Sequence, residues 1–428
     1  MQQIDGRADQ RHIARLDGEL VRAARTIRLL DRLRWPDEER DRFLNGWRAG
    51  NPSIPVVEAR PATHPESKAA LESVMAEADR SHPLGEFIHS TARCYHILAR
   101  MMEAIGTPAF TERSVELYGR PDYVYERQGT SALRLADGLL ELTDEILGSG
   151  DIAEAVTDIP ADDFAAELSA RLGDFFTDDD VAVVVDPDMA AKAAAGSKKV
   201  KIRGGAMFSR NDLDQLTNHE AFVHTTTVLN GKKQPLLTSM ALSAPRTTKT
   251  QEGLATFSEL ATYSMDMSRL RRIALRVNAV QAALDGADFI DLFTFFLDAG
   301  QSPEESYQSA QRVLRGGDPA GGAAFTKDAV YLEGLALVHT FLTKAIAENR
   351  PGMIPDLFAG RLTLGDVVRL QPLFDDGTVA QPRYVPPWAQ GMNRLSAYLV
   401  FSTYANRIRL ERVELDRFGE LEDAQTGD

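Results

Sequence analysis

The run Asn218-His219-Glu220-Ala221-Phe222-Val223-His224 sets two histidines five residues apart, with a glutamate directly after the first. No other feature constrains the local backbone so tightly. In the zinc-binding HExxH form the histidines lie four apart and project from one helix face, the glutamate standing beside the metal's water. Here the spacing is HExxxH. At roughly 100° per residue, five steps leave the imidazoles about 140° apart on a regular α-helix, too divergent for one ion. A π-type turn widens the repeat and returns positions i and i+5 to one face, so the spacing predicts such a turn between His219 and His224. Thr225, Thr226 and Thr227 follow, and three β-branched residues suit a strained or ending helix. Upstream, Asn211 and Asp212 suit an N-cap, which predicts a helix beginning near Asp212.

A catalytic ion held by two histidines needs a third protein ligand and an open position for water. Glu252, in Gln251-Glu252-Gly253-Leu254-Ala255, is the best candidate. It is expected in the first turn of a helix capped by Thr248 or Thr250, where the helix dipole also favours a carboxylate. Gly253 costs about 1 kcal/mol relative to alanine inside a helix, and a close approach by another helix or a ligand would account for it. Cys94 is the only cysteine among 428 residues, so no intrachain disulfide or thiolate cluster can form. Any metal falls to His, Asp or Glu. Of the other histidines, His82, His89 and His96 lie around one helix, but neither His89 nor His96 has a histidine or carboxylate four residues on. They read as partly buried polar positions.

The chain carries 48 basic and 63 acidic residues, a net charge of −15 and a pI near 5.1. That balance removes the electrostatic basis for gripping a phosphate backbone, so nucleic acid is not expected as a partner. The apolar stretches at 289–297 and after Tyr331 read as too short or too interrupted to span a bilayer. The first periodic segment, 13–33, is studded with arginine where a secretory segment would be uniformly apolar. A cytoplasmic protein with no membrane span is expected.

Ile13, Leu16, Leu20, Ala23, Ile27, Leu30 and Leu33 recur at helical intervals, predicting one helix ended by Trp35-Pro36. Further helices are predicted at 37–47, 84–105, 111–118, 131–147 and 160–172, with a proline-rich connector over 50–65 and no strand-like alternation in the first 180 residues. The segments 181–185 and 199–203 read as two short strands joined by an alanine-rich link. Helices return at 266–284, 287–299, 303–314, 326–348 and 391–415. The fold class is therefore α+β and mostly helical, divided into a helical N-terminal subdomain, 1–178, and a catalytic domain with C-terminal helices, 179–428.

Several motifs in order carry a resemblance: Lys201-Ile-Arg-Gly-Gly-Ala-Met-Phe-Ser209, the histidine motif, Leu229-Asn-Gly-Lys-Lys-Gln-Pro235, Gln251-Glu-Gly-Leu-Ala255, and Phe325-Thr-Lys-Asp328 followed by Tyr331. Together they resemble the bacterial "flavohemoglobin expression-modulating QEGLA motif" proteins, and the same domain is similar to the microtubule-associated tyrosine carboxypeptidases of animals. The likeness is strongest over 181–337 and extends to Leu117-Tyr-Gly-Arg-Pro121. It implies a zincin-like metallopeptidase core with short antiparallel strands, zinc on His219, His224 and Glu252, and Glu220 as general base. It also implies carboxypeptidase activity on a peptide or protein C-terminus. The animal substrate does not transfer to a bacterial protein, and neither oligomeric state nor preferred terminal residue follows.

For the developing oxyanion, Tyr331 or Tyr263 is a candidate donor, because a phenol donates without carrying charge. A terminal carboxylate requires Arg or Lys, and Lys327, Arg203, Arg312 and Arg315 are the candidates. The strand at 200–203 is expected to offer an edge to extended peptide backbone, and Gly316-Gly317 and Gly321-Gly322 to frame a flexible loop beside the cleft. An alternative function is a non-catalytic, metal-binding regulator of gene or haem-protein expression acting through a partner. An endopeptidase or aminopeptidase is a further one.

Overall fold

The computed structural model describes residues 7–124, 129–147, 156–187, 189, 192–196 and 198–405. The first apolar stripe forms the helix Arg7–Ala24 and then breaks. Thr26 Oγ1 donates to Ala23 O at 2.9 Å, a side-chain bond that draws the backbone out of the helix. The single helix expected over 13–33 is thus a helix plus the short 3-10 turn Leu30–Arg32, and Leu30 is exposed. Among the described residues, six helices follow before residue 180: Asp37–Arg48, Pro65–Glu77, Pro83–Glu103, Pro108–Tyr118, Ala132–Leu147 and Ala161–Phe175. Three of them open on proline, whose missing N–H is unneeded there. The connector 51–64 is neither helix nor strand.

The strands are β1 (Ile159–Pro160), β2 (Ala182–Asp186), β3 (Ala193–Ala195), β4 (Lys199–Arg203) and β5 (Met207–Phe208). β1 pairs with β5, so a strand does occur before residue 180; two residues are too few to show a period. The larger sheet runs β2-β4-β3. The expectation of antiparallel strands is corrected here, because β2 and β4 are parallel while β3 and β4 are antiparallel. The alanine-rich link supplies β3, which reverses the chain on the far side of β4 and leaves β2 and β4 pointing the same way. Alanine's weak strand preference hid it. β4 is consequently the central strand, so it offers no free edge to a peptide.

The largest core gathers Leu16 and Leu20 from the first helix, Phe87 and Met101 from Pro83–Glu103, and Leu254, Val338 and Leu342 from the second half of the chain. An aromatic cluster of Trp35, Phe43, Phe289, Phe293 and Tyr307 forms a second core. A third seats the strands on Ala161–Phe175 through Phe164, Val200, Ile202 and Phe208. Later helices include Pro245–Ala261, Met267–Leu284, Phe289–Asp298, Pro303–Leu314, Val330–Ala347 and Met392–Ala405. The part of the expected helix 391–415 beyond Ala405 lies outside the described residues. Within Thr326–Ala347, 22 residues long, an 18-residue window of mean hydropathy 1.3 is apolar enough to cross a membrane by length and composition, contrary to the expectation of a stretch too short or too interrupted; half of that window is buried in the protein.

Helices Pro245–Ala261 and Val330–Ala347 cross backbone to backbone at two glycines. A Cβ on Gly253 would lie 2.3 Å from Gly334 O, and one on Gly334 would lie 2.2 Å from Lys249 O. The close helix approach expected at Gly253 is this crossing. The glycine pairs of 316–322 form a tight turn instead of an open loop: Asp318 bridges Ala323, and a Cβ on Gly317 would meet Ala323 O.

Candidate metal centre

The motif helix starts from a capping box. Ser209 Oγ accepts from Asp212 N at 3.0 Å and Asp212 Oδ2 accepts from Ser209 N at 2.8 Å, so Ser209 is the cap and the helix begins at Arg210, not at Asp212. The segment Thr217–Thr225 is a π-helix of nine residues, longer than the single widened turn the spacing required. Regular helix resumes at Thr226–Lys232, so the three threonines do not end it. Thr226 Oγ1 and Thr227 Oγ1 donate to Ala221 O and Val223 O at 3.3 and 2.9 Å. Their hydroxyls serve carbonyls in the widened segment.

The wide repeat brings the two imidazoles together, ring centroids 5.0 Å apart. Glu252 Oε2 lies 3.7 Å from His219 Nε2 and 3.7 Å from His224 Nε2. One ligand atom from each of the three residues falls within 4.8 Å of the others. Ligand atoms around a tetrahedral zinc, at about 2.0–2.2 Å from it, stand roughly 3.3 Å apart, so a small contraction fits this set to one ion. Two neutral imidazoles and a carboxylate are donors that zinc accepts, as do other divalent ions. Burial works against the Glu252 charge, but Lys327 and the two histidines hold its carboxyl well below the usual range. Glu220 follows His219 on the widened turn and is partly buried.

Glu252 sits in the middle of Pro245–Ala261, not in a first turn, because Pro245 opens the helix well before Thr248 and Thr250. Its neighbours fix it. Gln251 Oε1 lies 2.8 Å from Thr227 Oγ1, bringing this helix against the motif helix. Gly253 permits the crossing, and Leu254 and Ala255 are fully buried. Asn230 and Gln234 serve the C-terminal segment: Asn230 Nδ2 donates to Phe358 O and Tyr384 O, both at 2.8 Å, and Gln234 Nε2 donates to Ala359 O and Ala380 O at 2.9 Å.

Next to the three donors lies a group of partly buried cations. Lys327 Nζ is 3.4 Å from Glu252 Oε1 and 5.4 Å from the centre of the Tyr331 ring. Arg312 forms a two-point pair with Asp328 at 2.6 and 2.8 Å. Arg276 lies over the Tyr331 ring, 5.9 Å from its centre, with Nε 4.0 Å from Asp328. Arg315 lies 5.4 Å from the Phe325 ring. Nε of both Arg276 and Arg315 is buried without a hydrogen-bond partner among the described residues. Burial, then repulsion from Arg312, lowers Arg276 to about 9 and Arg315 to about 10. This is a site short of negative charge.

Tyr263 does not belong to it. The residue lies in the turn after Ala261, 87% exposed and with a positive φ of 57°. Eleven helical rises from Glu252 amount to roughly 16 Å, so its candidacy as oxyanion donor is withdrawn. Tyr331, 8% exposed, is among the cations. Arg203 ends β4 opposite Asp186. His82 caps Pro83–Glu103 and His96 pairs with Glu72 at 2.9 Å.

Sequence reasoning missed Glu259 and Arg276. Glu259 Oε1 lies 2.6 Å from His219 Nδ1 and is itself held by Arg269, 3.1 Å, and by Gln215, 3.0 Å. Glu259 is seven residues after Glu252 and so on the same helix face, a signal that was available. Arg276 stands in no motif.

A family model described as microtubule-associated tyrosine carboxypeptidase matches residues 42–407. No curated protein matches the chain. Among solved structures, it is similar to a crystal structure of a chain described as a lipoprotein from Colwellia psychrerythraea, at 15% identity and a TM-score of 0.40, over 79% of this chain. The match spans 64% of the length of that structure's chain.

Proposed function

Because the chain belongs to the microtubule-associated tyrosine carboxypeptidase family, we propose that it is a zinc-dependent carboxypeptidase that hydrolyses the C-terminal peptide bond of a peptide or protein. The observation that carries this reading is the convergence of His219, His224 and Glu252 on one point through the π-helical turn. In the same reading the β2-β4-β3 sheet, the motif helix and the helix Pro245–Ala261 make up a zincin-like core.

His219, His224 and Glu252 would hold the ion, which when bound supplies Lewis acidity and a water of lowered pKa. Glu220 takes the proton of the attacking water and passes it to the leaving amine. Tyr331 donates a hydrogen bond to the developing oxyanion, its phenol being buried and adjacent to Lys327. Arg276 and Arg315, whose Nε atoms have no hydrogen-bond partner among the described residues, receive the terminal carboxylate together with Lys327. Arg312 is already engaged by Asp328 and holds that acid in place.

The test is metal content by mass spectrometry of the parent and Glu252→Ala, prepared without added metal, followed by mass analysis of peptides with free and amidated C-termini. Near-stoichiometric zinc in the parent, its loss in the variant, and trimming of free C-termini alone are expected. A parent that stays metal-free after zinc is supplied would remove the hydrolase reading.

A further inference from the structure

The two histidines of the cluster are not equivalent. His219 Nδ1 meets Glu259 Oε1 at 2.6 Å, whereas His224 Nδ1 is buried without a hydrogen-bond partner among the described residues. Glu259 has no exposed surface. Its second oxygen accepts from Gln215 Nε2 at 3.0 Å and from Arg269 Nε at 3.2 Å, and Arg269 Nη2 reaches Oε1 at 3.1 Å. Arg269 belongs to the first turn of Met267–Leu284, whose cap Asp266 accepts from Asn211 on the motif helix at 3.3 Å. Three helices therefore converge on one ring nitrogen of one histidine.

We propose that Glu259 is the positioning residue of the metal centre: it fixes His219 as the Nδ1–H tautomer, leaving Nε2 to face the ion, while His224 is placed by the π-helical backbone alone. The inference rests on the zinc reading above. Its physical basis is that a carboxylate accepting from the remote nitrogen of an imidazole sets the ring's tautomer and orientation and raises the basicity of the coordinating nitrogen. Arg269 and Gln215 occupy the carboxylate's remaining acceptor sites, so it has no competing rotamer to adopt. His219 is in consequence the strongly held ligand and His224 the weaker one. That order is invisible in the HExxxH spacing.

The experiment is zinc affinity by competition with a chromophoric chelator, on full-length parent, Glu259→Gln and the double variant Glu259→Gln with Arg269→Met. The double variant is included because removing Glu259 alone leaves the Arg269 charge buried and unpaired, which could unfold the protein. The expected result is affinity weakened by about 10- to 100-fold in whichever variant is folded. Affinity within about twofold of the parent in a folded variant would overturn the proposal. Nitrogen-15 NMR of the imidazoles in the zinc-loaded parent gives a test that needs no variant: His219 is expected as the Nδ1–H tautomer with a slowly exchanging, downfield proton, and a His219 ring protonated at Nε2 would overturn the assignment. A parent that binds no zinc would instead count against the proposed function, and the two failures are distinct.

Discussion

Replacing Gly253 with alanine tests whether the crossing of Pro245–Ala261 over Val330–Ala347 positions Glu252, the third ligand of the proposed metal centre. The added Cβ would stand 2.3 Å from Gly334 O and 2.4 Å from Gly334 C. Both are backbone atoms, so no rotamer change can relieve the contact. Restoring ordinary van der Waals distance requires the helices to part by about 1 Å. Overpacking of this kind costs about 1–3 kcal/mol, and alanine's better helix propensity returns about 1 kcal/mol, leaving a net loss of about 2 kcal/mol at the upper end. The functional loss should exceed what that loss of stability implies. Glu252 is the preceding residue, metal–ligand distances tolerate about 0.2 Å, and a misplacement of about 1 Å is enough to cost roughly a hundredfold in rate. Urea unfolding, zinc competition and peptide trimming on one preparation measure all three. Gly138→Ala is the control, since a Cβ there meets nothing within 4 Å; it should stabilise by about 0.5–1 kcal/mol and leave zinc binding unchanged. Equal stability and equal zinc affinity for Gly253→Ala and the parent would refute the idea that this crossing sets the position of Glu252.

Glu220→Gln should retain zinc, measured by mass spectrometry, while kcat falls by about 10²–10⁴-fold. Tyr331→Phe should lower kcat by about 10²–10³-fold with KM little changed, whereas Tyr263→Phe should match the parent in the same assay. Arg276→Met should raise KM for peptides with a free C-terminus and, by removing a partly buried cation that has no hydrogen-bonded anion, raise the urea midpoint. In acid, the Glu259 carboxyl is one of the groups that lose their charge: burial raises it, but Arg269 and then His219 outweigh burial and hold it at about 2, against 4.5 unperturbed. The folded state thus favours its ionised form, a contribution complete above about pH 4.5 and lost as pH falls toward 2. Urea midpoints of zinc-free protein should fall across that window and the slope should flatten in the Glu259→Gln, Arg269→Met double variant; an unchanged slope would contradict the assignment.

The grouping of His219, His224 and Glu252 was more legible in the sequence than its surroundings. The histidine spacing demanded a widened turn because geometry allows one ion no other way, and Gly253 demanded a close neighbour because a helix carries glycine at a cost. Those inferences are local, and local rules suffice for them. What local rules cannot supply is which remote helix arrives: Arg269 and Arg276 reach the centre from Met267–Leu284, a segment with no motif of its own. Strand β3 was missed because three alanines carry no strand signal, and with it went the order of the sheet and the place of β4 at its centre. Tyr263 and Tyr331 looked interchangeable as phenols. Only the end of the helix at Ala261 separates them, leaving one in solvent and the other among cations.

The extra residue between Glu220 and His224 is taken up inside the π-helical turn and goes no further. In a regular α-helix each added residue would turn the downstream face by about 100°. Asn230 lies downstream, and its side chain engages four backbone groups of the segment that runs from Phe358 to Tyr384. Five steps through the π-helical turn return nearly to the face that four steps of α-helix reach, so Asn230 keeps the facing it would have behind the commoner four-residue spacing. The widened turn therefore insulates the segment from Phe358 to Tyr384 from the interval between the two histidines, and either can change in this fold without displacing the other.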